Sequence, residues 1–352
     1  MPARVPRVSG HRRQTTTLIA RARRYHGSGD DAVCEAALTE IPARGQPEPD
    51  AGRGNIQALH ELAALRRAQG RYRESEELFR QALGLCDQHD ERDALILADL
   101  SNDLGVLYKA TGRLEDAAAR YRQALTIIET VLGPDHPKIA ALLHNLGGLA
   151  HALGDLTRAE QLTRRSVAIR TRALGEHHID VASDKAALAA ILVDAGHLTE
   201  AEQLIQDALL TFADLLGRGH LEVAAALHTL AAVHHKNGHL GQAHSTYKQA
   251  LLIKERALGT THPDLAATLN NVALACHQSG RHTSAEAAYR RCLTILATRI
   301  GDPRHRTWQA CVRNFTRLLE EQGRHTEAQQ VREGAPSIWT ADAAPQMRRN
   351  AE

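Results

Sequence analysis

At 352 residues the chain carries a formal net charge of +2, and Phe, Trp and Tyr together make up only 3% of it. That balance gives no global field for nucleic acid or an anionic membrane, and the scarcity of aromatics argues against a sandwich or barrel. No apolar run approaches the ~18 residues of a membrane span, and no secretory core follows the early arginines, so a soluble cytoplasmic protein with no membrane partner is expected.

The first 29 residues hold Arg4, Arg7, Arg12, Arg13, Arg21, Arg23 and Arg24 and no carboxylate before Asp30. This basic arm overlaps in composition with a transit peptide and could also touch phosphates. Residues 1–54 are read as the arm, a possible degenerate capping hairpin around Ser28, and a loop, "PARGQPEPDAGRG", over 42–54.

From there a ruler runs through the chain. Gly70, Gly112, Gly154, Gly196, Gly238 and Gly280 are 42 residues apart, and Gly323 follows with one residue inserted. Eight residues before the first six stand Leu62, Leu104, Leu146, Leu188, Leu230 and Val272. Small residues come next: Ala63, Gly105, Gly147, Ala189, Ala231 and Ala273. Twelve residues after each glycine stand Ala82, Ala124, Ser166, Ala208, Ala250 and Cys292. Apolar spacings of three and four on both sides predict two amphipathic helices per unit with the glycine as their turn. The small columns allow close helix approach, and no single hairpin buries its apolar face alone, so the units must stack.

The segment "LSNDLGVLYKATGRLEDAAARYRQAL", 100–125, resembles a tetratricopeptide repeat through Leu104, Gly105, Tyr108, Gly112, Leu114, Ala117, Tyr121 and Ala124. The 42-residue period and the "LGxxHP" connector resemble the kinesin-light-chain type of that repeat. The resemblance covers 55–333 as six registered repeats and a C-terminal partial one. It implies an all-α fold, a right-handed α-solenoid of stacked antiparallel helical hairpins. The end units depart from the pattern, with Arg66 in the column of Tyr108 and Phe315 and Thr316 in place of Leu and Gly.

The connectors "LGPDHPKIA", "LGEHHIDVA", "LGRGHLEVA" and "LGTTHPDLA" repeat a histidine at 136, 178, 220 and 262. Gly133 should stop one helix, His136 should be the N-cap of the next and Pro137 its first residue, with Asp180, Glu222 and Asp264 in later first turns. Equivalent atoms of stacked hairpins lie roughly 10 Å apart, whereas zinc needs nitrogens at about 2.0–2.1 Å, so these histidines are not read as a metal site. His234, His235 and His239 are not read as one either, because Gly238 interrupts the helix between them.

In the resembled family the first helix of each hairpin lines the concave face. Residues ten, six and three before the turn glycine fall within about 60° on a helical wheel. The inner row reads His60, Asn102, His144, Ala186, His228 and Asn270; the outer row reads Arg67, Lys109, His151, Val193, His235 and His277. None is acidic, and a neighbouring row adds Glu61, Asp103, Asn145, Thr229 and Asn271. Amides and imidazoles pair with peptide backbone and cations attract carboxylates. The candidate partner-binding residues are therefore His60, Arg67, Asn102, Lys109, His144, His151, His228, His235, Asn270 and His277, for an extended, somewhat acidic protein segment.

No phosphate-binding loop, H-E-x-x-H helix or nucleophile elbow occurs, so neither a cofactor nor an enzyme is expected. The five cysteines follow no metal-ligand or disulfide spacing and read as free thiols. The leading reading is a non-catalytic interaction scaffold. The alternative is a regulatory component of a nucleic-acid-associated system acting through residues 1–29. Residues 334–352 read as a loosely ordered tail, with Trp339 able to cover the last repeat.

Overall fold

A computed structural model describes residues 49–334 apart from 87–90, 302 and 304. The basic arm, Cys34 and the tail with Trp339 lie outside the described residues. Within them are fourteen helices and no strand. They pair as seven hairpins: α1 (Pro49–Ala68) with α2 (Tyr72–Gly84), α3 (Glu91–Ala110) with α4 (Leu114–Leu132), α5 (Lys138–Ala152) with α6 (Leu156–Leu174), α7 (Ile179–Ala195) with α8 (Leu198–Leu216), α9 (Leu221–Lys236) with α10 (Leu240–Leu258), α11 (Leu265–Gln278) with α12 (His282–Arg299), and α13 (Arg306–Glu321) with α14 (His325–Arg332). The chain divides into two compact units, up to Ile169 and from Arg170, and the division falls inside α6.

One boundary differs from the sequence reading. Helix α1 starts at Pro49, within the segment read as a loop to residue 54. Proline suits a first helical turn, where its missing N–H has no partner to lose, and here it opens the helix instead of marking a loop.

The turn glycines are required by the backbone. Gly196, for example, ends α7 at φ 87° and ψ 5°, and His197 N–H closes back onto the Leu192 carbonyl at 2.9 Å. A side chain there would be strained in the left-handed region.

The small columns form the seams of both units. Ala63, Ala82 and Ala124 in the first unit and Ala189, Ala208, Ala231, Ala250 and Ala273 in the second are fully buried. Phe79 and Tyr121 share an apolar cluster with Ala63 and Ala82 in the first unit, and Tyr247 and Tyr289 share one with Ala231 and Ala273 in the second; these rings are also buried. A Cβ on Gly105 would stand 2.6 Å from the Tyr121 ring, so glycine there follows from the ring's position. Where the later column is polar, its donor is satisfied: Ser166 Oγ and Cys292 Sγ donate to the carbonyls of Ala140 and Ala266 at 2.7 and 3.2 Å. Cys86, Cys276, Cys292 and Cys311 are free thiols, three of them buried.

The connector histidines are caps. Nδ1 of His136, His178, His220 and His262 accepts from the backbone N–H two residues on, at 3.2, 3.1, 3.2 and 3.2 Å. Regular helix in α5 begins one residue later than expected, at Lys138, yet Pro137 already has helical dihedrals of −55° and −29°. Asp180 and Glu222 lie in first turns, while Asp264 stands just ahead of α11.

Candidate functional site

The face carried by the first helices is a hydrogen-bonded ladder in each unit. In the first, His60 Nε2 pairs with Asp103 Oδ2 at 2.6 Å, Asn102 Nδ2 donates to Asp103 Oδ1 at 3.0 Å, and Asn145 Nδ2 donates to Asn102 Oδ1 at 2.7 Å. The run joins α1, α3 and α5. The second unit repeats it over α9, α11 and α13. Asn271 Nδ2 donates to His228 Nε2 at 3.2 Å, Asn270 Nδ2 to Asn271 Oδ1 at 3.1 Å, and Asn314 Nδ2 to Asn270 Oδ1 at 3.1 Å.

A second rail lies one helical turn or two further on. His235 Nε2 pairs with Gln278 Oε1 at 2.5 Å and His277 Nε2 with Glu321 Oε2 at 2.7 Å. Lys236 Nζ donates to the Val193 carbonyl at 2.8 Å. Six of the ten sequence-derived site residues (His60, Asn102, His228, Asn270, His235 and His277) thus bond to the adjoining hairpin. Half-buried polar groups need such partners, and the bonds fix each hairpin's register on the next.

The two ladders differ in charge. Burial disfavours the imidazolium of His60, but the hydrogen bond and charge of Asp103 outweigh it, and the pKa is raised. His228 is pushed down to about 4 by burial and by the charge of Lys254. The neutral ring accepts from Asn271 at Nε2 and faces Thr268 Oγ1 from Nδ1 at 3.1 Å.

Arg67 and Lys109 stand apart. Neither forms an ion pair with a described residue; Arg67 Nε is shielded from solvent without a hydrogen-bond partner. Its charge also reaches the Tyr121 hydroxyl, itself buried and unpaired. The Lys109 ammonium lies over Gly148, 2.7 Å from where a Cβ would stand, and burial lowers its pKa. The face of the first unit therefore presents a guanidinium and a partly desolvated ammonium in adjacent hairpins. His144 and His151 both have interaction partners.

Sequence reasoning missed the ladder's pairing, although its acceptor row had been noted. The signal was an offset of 43 residues, one repeat plus one position, linking polar columns. It also missed Arg170, which donates to Asp184 Oδ1 at 2.9 Å and to the Asp180 carbonyl at 3.2 Å; Asp184 is wholly buried. Elsewhere that column holds Cys86, Ile128, Phe212 and Leu296, with a second cation at Lys254, so a cation in a mostly apolar column was the clue. Among the described residues no three His, Cys, Asp or Glu side chains gather as metal ligands, and no helix is long and apolar enough to cross a membrane.

Stacked helical hairpins whose small seams and polar ladders repeat with the sequence define an α-solenoid of the kind that serves as an interaction scaffold. The chain belongs to the tetratricopeptide repeat family, whose profile matches residues 55–130, 97–172, 138–209, 181–256 and 245–298. No curated protein matches the sequence. Among solved structures, BtubC (BKLC) from P. vanneervenii is 23% identical, covering 71% of this chain and 93% of its own, with a TM-score of 0.52. A Rap protein complexed with Competence and Sporulation Factor is 13% identical, over 93% of this chain and 98% of its own, with a TM-score of 0.63. A putative kinesin light chain from Podosopora anserina is 24% identical, over 58% and 95%, with a TM-score of 0.47.

Proposed function

We propose that the protein is a non-catalytic scaffold that binds an extended, acidic protein segment across the first-helix face of its first unit. The observation that carries this is the pair Arg67 and Lys109, two cations in successive hairpins with no carboxylate partner among the described residues. An acidic side chain reaching them gains charge-assisted hydrogen bonds that the free protein does not make. The second unit's equivalents, His235 and His277, are engaged with Gln278 and Glu321 and hold hairpins in register. The proposed surface is therefore narrower than the ten residues the sequence offers. The fold shared with the Rap protein, solved with Competence and Sporulation Factor, supports a binding role for such an array.

Capture from native lysate with the wild type and an Arg67→Glu/Lys109→Glu variant tests the reading. Neither residue belongs to the buried core, so the variant should lose its partner while keeping the wild-type circular dichroism and melting temperature, which are measured alongside. Retention of the same partner by the variant overturns the reading.

A further inference from the structure

The second unit holds a cleft of about 430 Å³ between the beginnings of α9, α11 and α13. Its apolar walls include Leu258 and Ile300, its polar lining Lys254 and His305, and Glu222 and Asp264 also line it. Lys254 occupies the repeat column of Arg170, and the position fourteen residues on, where Arg170 finds Asp184, is Thr268. Lys254 Nζ donates only to neutral oxygens, Thr268 Oγ1 at 3.1 Å and the Asp264 carbonyl at 3.4 Å. The framework that holds a hydrogen-bonded ion pair at α6 and α7 here leaves a half-buried ammonium with no carboxylate hydrogen-bonded to it among the described residues, and the Asp264 carboxylate acts on it through its charge alone.

His305 is the second departure. It stands in the column of the capping histidines, shifted by the inserted residue, but its side chain makes no cap. Its Nδ1 is buried without a hydrogen-bond partner. A partly desolvated cation without a directly bonded carboxylate and an unengaged ring nitrogen thus line one cleft, whose size is within the ~300–1,000 Å³ of small-ligand sites.

We propose that this cleft binds a small molecule with one carboxylate and an aliphatic body, the carboxylate supplying Lys254 with the counterion that Asp184 gives Arg170. The aliphatic part lies against Leu258 and Ile300. Glu222 and Asp264 disfavour a multiply charged anion such as phosphate and can receive an ammonium, so an aliphatic amino acid fits better than a simple acid. The carboxylate belongs to a free molecule or to the C-terminus of a peptide; both present the same group.

The test is calorimetric titration of the full chain with isovalerate, leucine, a peptide ending in leucine, the same peptide amidated, and inorganic phosphate. Saturable binding of isovalerate or leucine is expected, with leucine tighter; tighter binding of the peptide than of leucine, lost on amidation, would assign the carboxylate to a chain terminus. Lys254→Met should weaken it at least tenfold. Because that change could also disturb packing, Thr268→Asp provides an independent arm. It restores the internal carboxylate, should raise the melting temperature, and should exclude the ligand. Carboxylate binding should also move the His228 imidazole titration upward by neutralising Lys254. The proposal is overturned if no carboxylate binds up to millimolar concentrations, if phosphate binds in preference, or if Thr268→Asp binds as well as the wild type.

Discussion

His228 makes the stability of the second unit depend on pH. Its folded pKa of about 4 lies below the ordinary value of 6.5, because burial and Lys254 oppose the charged ring. Between these values the unfolded chain binds a proton that the folded one does not, so stability rises with pH across the window and is lost as pH falls. The full difference corresponds to about 3 kcal/mol, of which about 2 kcal/mol is lost by pH 5. A His228→Gln variant keeps a polar side chain without the titration. Urea unfolding followed through Trp308, which is buried in α13 of the same unit, measures the effect at pH 7 and pH 5. The wild type should lose about 2 kcal/mol more than the variant over that interval. Equal losses would mean that His228 is as readily protonated folded as unfolded, and would refute the neutral rung. His60, whose pKa is raised, acts in the opposite sense: its contribution is present below the unfolded pKa and lost as pH rises through the folded one.

Asp184→Ala should cost about 3–5 kcal/mol by leaving Arg170 half-buried without its carboxylate, and adding Arg170→Leu should recover part of that in the same urea assay. His178→Ala and His220→Ala should each cost about 1 kcal/mol through lost caps, while His178→Asp should hold or raise the midpoint. Gly105→Leu drives side-chain atoms into Tyr121 and should lower stability by about 1–3 kcal/mol or more, visible as a reduced melting temperature of the first unit.

The turn glycines, small seams and caps were legible in the sequence because each is a local demand repeated at one spacing. Gly196 must be left-handed, Ala231 must admit a neighbouring helix, and His178 must face the free N–H of Asp180. The ladder was only half legible. A helical wheel places His60 and Asn270 on the right face but does not say that the nearest acceptor belongs to the next hairpin. That depends on the axial stagger of the stack, which makes Asp103 and Asn314 their neighbours. The loss of a counterion at Lys254 was written in the sequence as Thr268 against Asp184, yet it gains meaning only when the cleft beside it is known. The start of α1 at Pro49 was hidden by proline and glycine, whose usual reading as loop residues fails at a first turn.

The most direct measurement is photo-crosslinking in native lysate from a reactive group placed at Ala110, exposed beside Lys109 at the end of α3, with a second placed at Leu210, which is exposed on α8 of the other unit. The scaffold account predicts that the group at 110 couples to a protein through an acidic segment and that excess Arg67→Glu/Lys109→Glu protein does not compete. Coupling confined to position 210, or competition by that variant as effective as by the wild type, would contradict it.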